Sequence, residues 1–536
     1  MKSELSLHRK PLVVLLFSVL LLALLVRLAG IATRPLWYDE AFSVLFAEKG
    51  LMAMLVGTLG PAASDFASAG SGSVAEEHPL LYYILLSGWM RIFGQAPAVV
   101  RALSVLFGLV TVALVFFLGL KLFDIRSAAV MATLVAISPF QVHYSQEVRM
   151  YSALAAFILL AALSLWMGMM SRQRAWWVVF AVSAAIAQYT HSIAVFYLLL
   201  LALTPVFARR WKDAVAVGLA GLGAMALYLP WMARLPSQIG KIQDNYWMEV
   251  PSPGRLVTAL LCFVTNLPVP EGWLPAALFI SLSLLVLAAW QTLRLWRKSR
   301  QTDGSGTANS NLRRGLWLAY LAFTPLLALY LVSQVQPVFV ERALLPAGVF
   351  FWMWVGWTLA RTDLPRPVAI LAAAVLLGGV AIGIYQHISY NGFPYGPYNA
   401  LGDSLAGRLE SGDVIVHSNK LSLLPLMYTH RDLPQRYVVD PPGSSSDTLG
   451  IPTQLVLGVQ AESSIEAAAN HAQRVWLVIF SRAIQEYQDA NNHTHPHLAW
   501  LASHYPNQAV ERWGDLMVYR FSRSPGDQDS GNGSNQ

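Results

Sequence analysis

The sequence predicts a polytopic α-helical membrane protein that ends in a soluble α/β domain, and three observations support this fold class. Of the 536 residues, 55% are hydrophobic and only 12% are charged, whereas soluble domains carry about 25% charged residues. Apolar runs near the length that crosses a bilayer core of roughly 30 Å recur along the chain. From about residue 388, short strand-like runs replace these long ones.

Eleven apolar runs are predicted to span the bilayer. They are 11–30, 101–122, 127–140, 151–170, 176–190, 192–208, 213–232, 273–293, 315–333, 343–360 and 367–387. Two further apolar stretches, 79–94 and 255–268, would move several basic clusters to the other side if they crossed. We therefore expect about eleven spans, and we expect these two stretches to form re-entrant or interfacial helices.

Lysine and arginine residues predict the orientation, because they concentrate in cytoplasmic loops. With a cytoplasmic N-terminus, the basic groups at alternate span ends all fall inside, including Arg9 with Lys10, Arg209 with Arg210, and the cluster from Arg294 to Arg314. The first run follows Lys10 and lacks a good cleavage site, so we expect an uncleaved anchor. The sequence thus predicts a multi-pass protein of the cell membrane whose C-terminus is extracytoplasmic. The net charge of +7 forms no long stripe, which excludes a nucleic-acid partner.

The chain divides into three predicted parts. Residues 1–387 form the transmembrane domain with a long first outer loop at 31–100, residues 388–524 form the soluble α/β domain, and residues 525–536 form a disordered tail. Strands are expected at 413–417, 437–440, 455–459, 475–480 and 517–521, and helices at 462–473 and 482–490. Because Cys262 is the single cysteine, the soluble domain has to fold without a disulfide.

Ionisable side chains from five separated segments fall on the predicted outer face. They are Asp39, Glu40, Glu77, His78, Glu147, Arg149, His191 and Arg342. A charge at the bilayer centre costs about 2.5–3.5 kcal/mol, so these groups belong at a water-filled boundary. Each one taken alone fits an interfacial loop or a helix end. Together they suit chemistry between a hydroxyl and a phosphate-activated group, because a carboxylate can take the hydroxyl proton and arginines can bind the phosphate.

Five motifs in order resemble the membrane-embedded C-type superfamily of glycosyltransferases, in the branch of the protein O-mannosyltransferases and the lipid A aminoarabinose transferase (glycosyltransferase family 39-like). The motifs lie at Leu36–Glu40, His78–Tyr83, Ser138–Tyr151, Tyr189–His191 and Arg342–Pro346. The chain departs from the family at Leu80, where proline is frequent, and at Ala343, where tyrosine is frequent. Neither departure changes an ionisable group.

This resemblance implies roles for individual residues. Asp39, Glu40 and Glu77 would be the catalytic carboxylates, with Asp39 as the general base that serves the acceptor. His78, Arg149 and Arg342 would bind the donor phosphate. The remaining substrate contacts would come from Tyr38, Tyr82, Glu147 and His191. No cofactor is required, although Asp39 and Glu77 would suit Mg²⁺ or Mn²⁺ if a metal takes part.

The function implied by the resemblance is inverting transfer of one hexose or pentose from a polyprenyl-phosphate donor. The acceptor would be an extracytoplasmic protein, lipid or cell-envelope glycan. Two other classes remain open, a transporter or flippase of lipid-linked sugars and a non-catalytic membrane scaffold. Transporters place ionisable groups near the bilayer midplane, at broken helices in repeated halves. Here the charges lie at span ends and no repeat is visible, which favours the transferase.

Overall fold

The computed structural model describes residues 9–59, 78–171, 173–232, 250–301, 306–361, 365–441, 446 and 448–523. Within these residues, eight helical segments are long and apolar enough to cross a membrane. They are Pro11–Leu28, Pro97–Leu122, Tyr151–Ser171, Trp211–Met232, Glu271–Arg300, Asn309–Val332, Glu341–Arg361 and Arg366–Ser389. Large apolar side chains such as Val215, Leu219 and Leu222 are exposed on them. A lipid bilayer accounts for such exposure, so the chain is a multi-pass membrane protein.

Three further helical units account for the remaining predicted spans. Ile125–Ile137 and Pro139–Ser145 form a pair bent by 59°, because Pro139 cannot continue the preceding helix. Ala175–Thr190 and Ala194–Phe207 are apolar helices of 16 and 14 residues, which cover about 24 and 21 Å. All eleven predicted runs are therefore helical, and those two are short for a bilayer core.

The two apolar stretches at 79–94 and 255–268 are also helical. Leu81–Phe93 has 13 residues and Gly254–Thr265 has 12, close to the 14 residues of Ala194–Phe207. Their re-entrant or interfacial place therefore stays a prediction. Two helices of the first loop, Tyr38–Ala47 and Leu51–Leu59, lie between the first span and Leu81–Phe93. The first of these carries Asp39 and Glu40 in its opening turn, where carboxylates favour the helix dipole.

The C-terminal part contains a six-stranded mixed sheet within its described residues, with the order β3-β2-β1-β4-β6-β5. The strands are β1 Val414–His417, β2 Gln435–Val438, β3 Ala461–Glu462, β4 Arg474–Phe480, β5 Asn507–Trp513 and β6 Leu516–Ser522. The first four pair in parallel, whereas β6 is antiparallel to both β4 and β5. Helices flank the sheet at Tyr398–Ala406, Lys420–Thr429, Ile451–Leu457, Ile465–Ala469, Ser481–Asn491 and Pro496–His504.

Most predicted elements of this domain are confirmed, and one is wrong. The strands expected at 413–417, 475–480 and 517–521 are present, and the strand expected at 437–440 begins two residues earlier. The segment 455–459 is the end of helix Ile451–Leu457, which stops at Gly458 with φ +77°. A short apolar run fits a buried strand and a helix equally well, which explains the error. The tail at 525–536 lies outside the described residues.

The C-terminal domain packs directly on the first-loop helices. Leu423, Leu424 and Leu457 belong to the same hydrophobic core as the membrane helices. At the edge of this contact the Arg431 guanidinium donates to both carboxylate oxygens of Glu48, at 3.0 and 2.8 Å. We call the membrane-helix ends that face this domain the domain side, and the candidate catalytic groups lie there.

Candidate active site

The Asp39 carboxylate is the point where three distant parts of the chain meet. It lies in the first turn of helix Tyr38–Ala47 and is only 6% exposed. Arg342 donates through Nη1 to Oδ2 at 2.6 Å, and Arg149 Nε lies 3.8 Å from the same oxygen. Arg342 follows Asp39 by 303 positions. The structure therefore brings together three residues that the sequence motifs placed in separate segments.

Aromatic side chains contact the two arginines that lie beside Asp39. Arg149 occupies the turn after helix Pro139–Ser145 and donates through Nη1 to the Tyr83 hydroxyl at 3.1 Å. Arg342 lies in the 3₁₀ turn Glu341–Leu344, and its guanidinium carbon is 5.5 Å from the centre of the Tyr151 ring. These contacts hold the arginines in place while leaving planar donors directed at an anion.

A lysine from the C-terminal domain also acts on Asp39. Lys420 is only 4% exposed, begins helix Lys420–Thr429, and has its Nζ 5.4 Å from the centre of the Tyr38 ring. Burial alone would raise the pKa of Asp39, but Arg149, Arg342 and Lys420 outweigh it and lower that pKa. The carboxylate is therefore ionised at neutral pH.

His78 and His191 lie beside the arginines as neutral rings. Their ring centres are 5.0 Å apart. Burial, with the charges of Arg149 and Arg342, lowers the pKa of His191 to about 3 and the pKa of His78 well below its usual value. The backbone N–H of Ile193 donates to His191 Nδ1 at 3.2 Å, so the neutral ring carries its proton on Nε2. His191 is thus a hydrogen-bond donor without charge.

Glu40 belongs to a different centre from Asp39. Arg101 donates to both of its oxygens, through Nε at 2.8 Å and Nη2 at 2.7 Å. The backbone N–H groups of Val148 and Trp37 donate to it as well, at 3.1 and 3.4 Å. With four donors and 1% exposure, this carboxylate is enclosed and fully bonded. We therefore expect Glu40 to position the loop, whereas the sequence suggested a catalytic role that the structure does not test.

The sequence suggested a substrate contact for Tyr82 and gave no role to its neighbour Tyr83. The Tyr82 side chain is 1% exposed and its hydroxyl bonds to the Ser104 hydroxyl at 2.8 Å, so it packs in the protein core. Tyr83 instead reaches Arg149. Tyr38 faces Lys420, in keeping with a place at the substrate. Tyr83 is 0% exposed and thus as deeply buried as Tyr82, so the substrate contact suggested for Tyr82 stays a prediction.

Glu147 lies beside Arg342 on the wall of a cavity, and its Oε1 is 3.1 Å from His143 Nε2. Glu77 lies outside the described residues. Among the residues that the structure does describe, no group of three His, Cys, Asp or Glu side chains is close enough to hold a metal. The nearest charged group to Asp39 is a guanidinium, so we derive no step through a metal.

Sequence reasoning missed Lys420, Tyr83 and His143 as site residues. His143 precedes Glu147 by four positions, a spacing that pairs side chains on a helix and offered a usable signal. Tyr83 lies inside a recognised motif beside the residue that was chosen. Lys420 has no such signal, because its approach to Asp39 depends on how the C-terminal domain packs.

Comparison with known proteins finds one family that matches part of the chain. Residues 77–233 match the family of dolichyl-phosphate-mannose-protein mannosyltransferases. No curated protein matches the chain. The match covers His78, Arg149 and His191 of the site, whereas Asp39, Arg342 and Lys420 lie outside it.

Solved structures of low sequence identity resemble the fold over most of this chain. ArnT from Cupriavidus metallidurans in the apo state is 15% identical with a TM-score of 0.61, over 96% of this chain and 99% of that chain. ArnT from the same organism bound to undecaprenyl phosphate gives 13% and 0.58, over 96% and 98%. AglB from Archaeoglobus fulgidus, in complex with an inhibitory peptide and a dolichol-phosphate, gives 11% and 0.50, over 96% and 75%.

Proposed function

We propose that the chain is a member of the C-type superfamily of membrane glycosyltransferases, in the branch that contains the protein mannosyltransferases and ArnT; the family match over residues 77–233 and the fold shared with ArnT support this. The chain transfers one monosaccharide from a polyprenyl-phosphate donor to an acceptor outside the cytoplasm, with inversion at the anomeric carbon. The observation that carries this proposal is the Asp39 carboxylate held between Arg149 and Arg342.

Two structural neighbours support the donor class. ArnT was solved with undecaprenyl phosphate and AglB with a dolichol-phosphate. In this chain Arg149 and Arg342 supply charged, planar donors that suit phosphate oxygens. The neutral His191 adds an uncharged donor beside them. The lipid tail of the donor would lie among the membrane helices, where it needs no polar partner.

The proposed mechanism follows from the charges around Asp39. A donor phosphate that binds Arg149 and Arg342 competes with Asp39 for the same guanidinium groups. Both the loss of these partners and the added negative charge raise the basicity of the carboxylate. Asp39 then takes the proton of the acceptor hydroxyl as that oxygen attacks the anomeric carbon. The bond from this carbon to the phosphate oxygen breaks, and the electron pair leaves with the phosphate, whose charge the arginines stabilise.

The C-terminal domain and the site lie on the same side of the membrane helices. Lys420 of this domain acts on Asp39, and Arg431 pairs with Glu48 of the first loop, so the domain and the site share one side. The distribution of lysine and arginine favours the extracytoplasmic side. The proposal therefore includes a cytoplasmic N-terminus and an extracytoplasmic C-terminus.

Proteoliposomes containing the purified chain provide the test. Undecaprenyl phosphate carrying radiolabelled mannose or aminoarabinose is added together with an envelope extract as the acceptor source. We expect labelled glycoside and free undecaprenyl phosphate to form with the wild type and not with Asp39→Asn. Label that crosses the bilayer without forming product would indicate a transporter, and a fully active Asp39→Asn would refute the mechanism.

A further inference from the structure

A small cavity lies next to Arg342 on the domain side of the membrane helices. Its volume is about 150 Å³, well above what one water molecule needs. Arg342 and Glu147 line it together with the aromatic rings of Trp37, Tyr144 and Tyr395. The cavity thus adjoins the proposed phosphate site through an arginine that both share.

Hydrogen bonds behind the cavity fix the proton positions of one histidine. The Gln146 amide nitrogen donates to the carbonyl oxygens of Arg27 and Ala29, at 2.7 and 2.8 Å. Its oxygen is therefore the atom that faces His387 Nε2 at 2.9 Å, and Nε2 carries a proton. Arg34 Nη2 lies 3.1 Å from His387 Nδ1 and 3.4 Å from Nε2, so this cation lies against the ring. A second proton on the ring would bring two positive charges into contact, so His387 is neutral and Nδ1 is an acceptor.

The proton positions of the neighbouring His143 follow from those of His387. Its Nδ1 lies 2.9 Å from His387 Nδ1, and since the latter is an acceptor, His143 Nδ1 donates. Its Nε2 lies 3.1 Å from Glu147 Oε1. That contact needs one proton, held either as an imidazolium with a carboxylate or as an imidazole with a carboxylic acid. His143 and Glu147 therefore form a hydrogen-bonded pair whose geometry is held from behind.

The second carboxylate oxygen of Glu147, Oε2, is buried without a hydrogen-bond donor among the described residues. The residue is only 4% exposed, and in the described part of the chain no donor reaches Oε2. A buried carboxylate oxygen without a donor is unfavourable by about 1–3 kcal/mol or more. Glu147 lines the cavity, so a ligand with hydroxyl or N–H groups would complete its hydrogen bonding.

We propose that this cavity is the sugar subsite of the donor, and that Glu147 Oε2 accepts a hydrogen bond from the transferred sugar. The inference rests on the function proposed above. A sugar bonded to the donor phosphate has to lie next to the arginine that binds the phosphate, and Arg342 occupies that position. Aromatic walls with one fixed polar group suit a sugar ring, which presents apolar C–H faces and hydroxyl edges.

The test compares lipid phosphates with and without a sugar. The full-length protein in detergent is titrated with undecaprenyl phosphate, and separately with undecaprenyl phosphate carrying mannose or aminoarabinose, with thermal stabilisation as the readout. We expect Glu147→Gln to lower the affinity for the sugar-bearing lipid by about tenfold or more, because an amide cannot reproduce the hydrogen-bonding pattern of the carboxyl group. The affinity for the bare lipid phosphate should not change.

Glu341→Gln is the matched control. Glu341 is the neighbour of Arg342, but it pairs with Arg255 at 2.8 Å and does not line the cavity, so neither affinity should change. His143→Gln is the second variant, which keeps the Glu147 carboxylate. It should lower the affinity for the sugar-bearing lipid less than Glu147→Gln does, and it should leave the affinity for the bare lipid phosphate unchanged.

Each other outcome overturns the proposal. If Glu147→Gln lowered the affinity for both lipids equally, the cavity would be assigned to phosphate binding. An unchanged donor affinity with a raised acceptor KM would assign it to the acceptor. A wild type that prefers none of the sugar-bearing lipids over the bare phosphate would overturn the proposed donor class and this subsite with it. A wild-type preference that survives in Glu147→Gln would overturn the subsite alone.

Discussion

Asp39 and Glu40 are adjacent in the chain, yet they lie in two buried ionic centres that are built differently. Glu40 meets one arginine through two matched hydrogen bonds and receives two backbone N–H groups. Asp39 meets Arg342 at 2.6 Å and Arg149 at 3.8 Å through a single oxygen. The Glu40 centre is closed, whereas cations from three further segments surround Asp39.

The difference shows how one helix turn can serve both structure and chemistry. Arg101 also donates to the carbonyl oxygens of Ile31, Arg34 and Pro35, so the Glu40 centre fixes the loop that leads into the helix. A fully paired buried ion pair has little capacity to bind another ion. The uneven contacts of Asp39 leave its arginines able to exchange the carboxylate for a phosphate.

The largest effect is expected at the Asp39 centre, which we call the open centre in contrast to the closed Glu40 centre. Asp39→Asn removes the proposed base, so the transfer rate should fall by about 10²–10⁴-fold. The arginines remain, and the affinity for undecaprenyl phosphate should be kept or increased, because a competing anion is gone. Transfer assays and lipid titration measure these two quantities. A variant that loses lipid binding as well as transfer would argue against separate roles for Asp39 and the arginines.

At the closed centre the expected effect is on stability. Glu40→Gln leaves the buried Arg101 without its counter-charge, which should destabilise the protein by about 3–5 kcal/mol. The transfer rate per folded molecule should stay close to that of the wild type. Thermal unfolding followed in detergent gives the first quantity, and activity normalised to monodisperse protein gives the second. Unchanged stability would show that this pair does not hold the loop.

Lys420 tests whether the C-terminal domain contributes to the open centre. Lys420→Gln removes one cation near Asp39, and we expect up to about a tenfold weaker affinity for undecaprenyl phosphate. Lys420→Arg keeps the charge and should restore most of that affinity. Equal losses in both variants would indicate a packing role without an electrostatic one.

The histidines of the open centre make a pH prediction. The pKa of His191 is lowered by burial to about 3 in the folded protein, whereas an unfolded histidine titrates near 6.5. The unfolded chain therefore binds more protons between these values, and stability falls as the pH drops from about 6.5 towards 3, by up to about 1.4 kcal/mol per pH unit. His191→Asn should reduce that slope in thermal unfolding series. An unchanged slope would mean that His191 is not buried as a neutral ring.

The smallest effect is expected at the edge of the domain contact. Arg431→Gln removes an ion pair with Glu48 in which the arginine side chain is 46% exposed. Such exposed pairs contribute about 0–1 kcal/mol, so stability should change little and transfer should not change. This variant is the control for Lys420→Gln, since both residues belong to the interface. A large loss of transfer would show that domain docking itself limits the reaction.

Much of the fold was predictable because lipid imposes long apolar helices, and all eleven predicted runs are helical. The joint occurrence of Asp39, Arg149 and Arg342 was predictable from their shared side of the membrane. The assignment of Asp39 and Glu40 to two separate centres was not predictable from the sequence. Arg101 was expected at the start of a span, where the sequence does not identify its carboxylate partner. Lys420 depends on tertiary packing between domains, which leaves no local pattern.

One comparison in a single preparation tests the central claim most directly. The rate of sugar transfer from a lipid-linked donor is measured for Asp39→Asn and Glu40→Gln, each normalised to correctly folded protein. The account predicts a loss of at least about 10²-fold for Asp39→Asn, while Glu40→Gln remains close to the wild-type rate. Equal losses in the two variants, or a larger loss for Glu40→Gln, would contradict the assignment of the chemistry to the Asp39 centre.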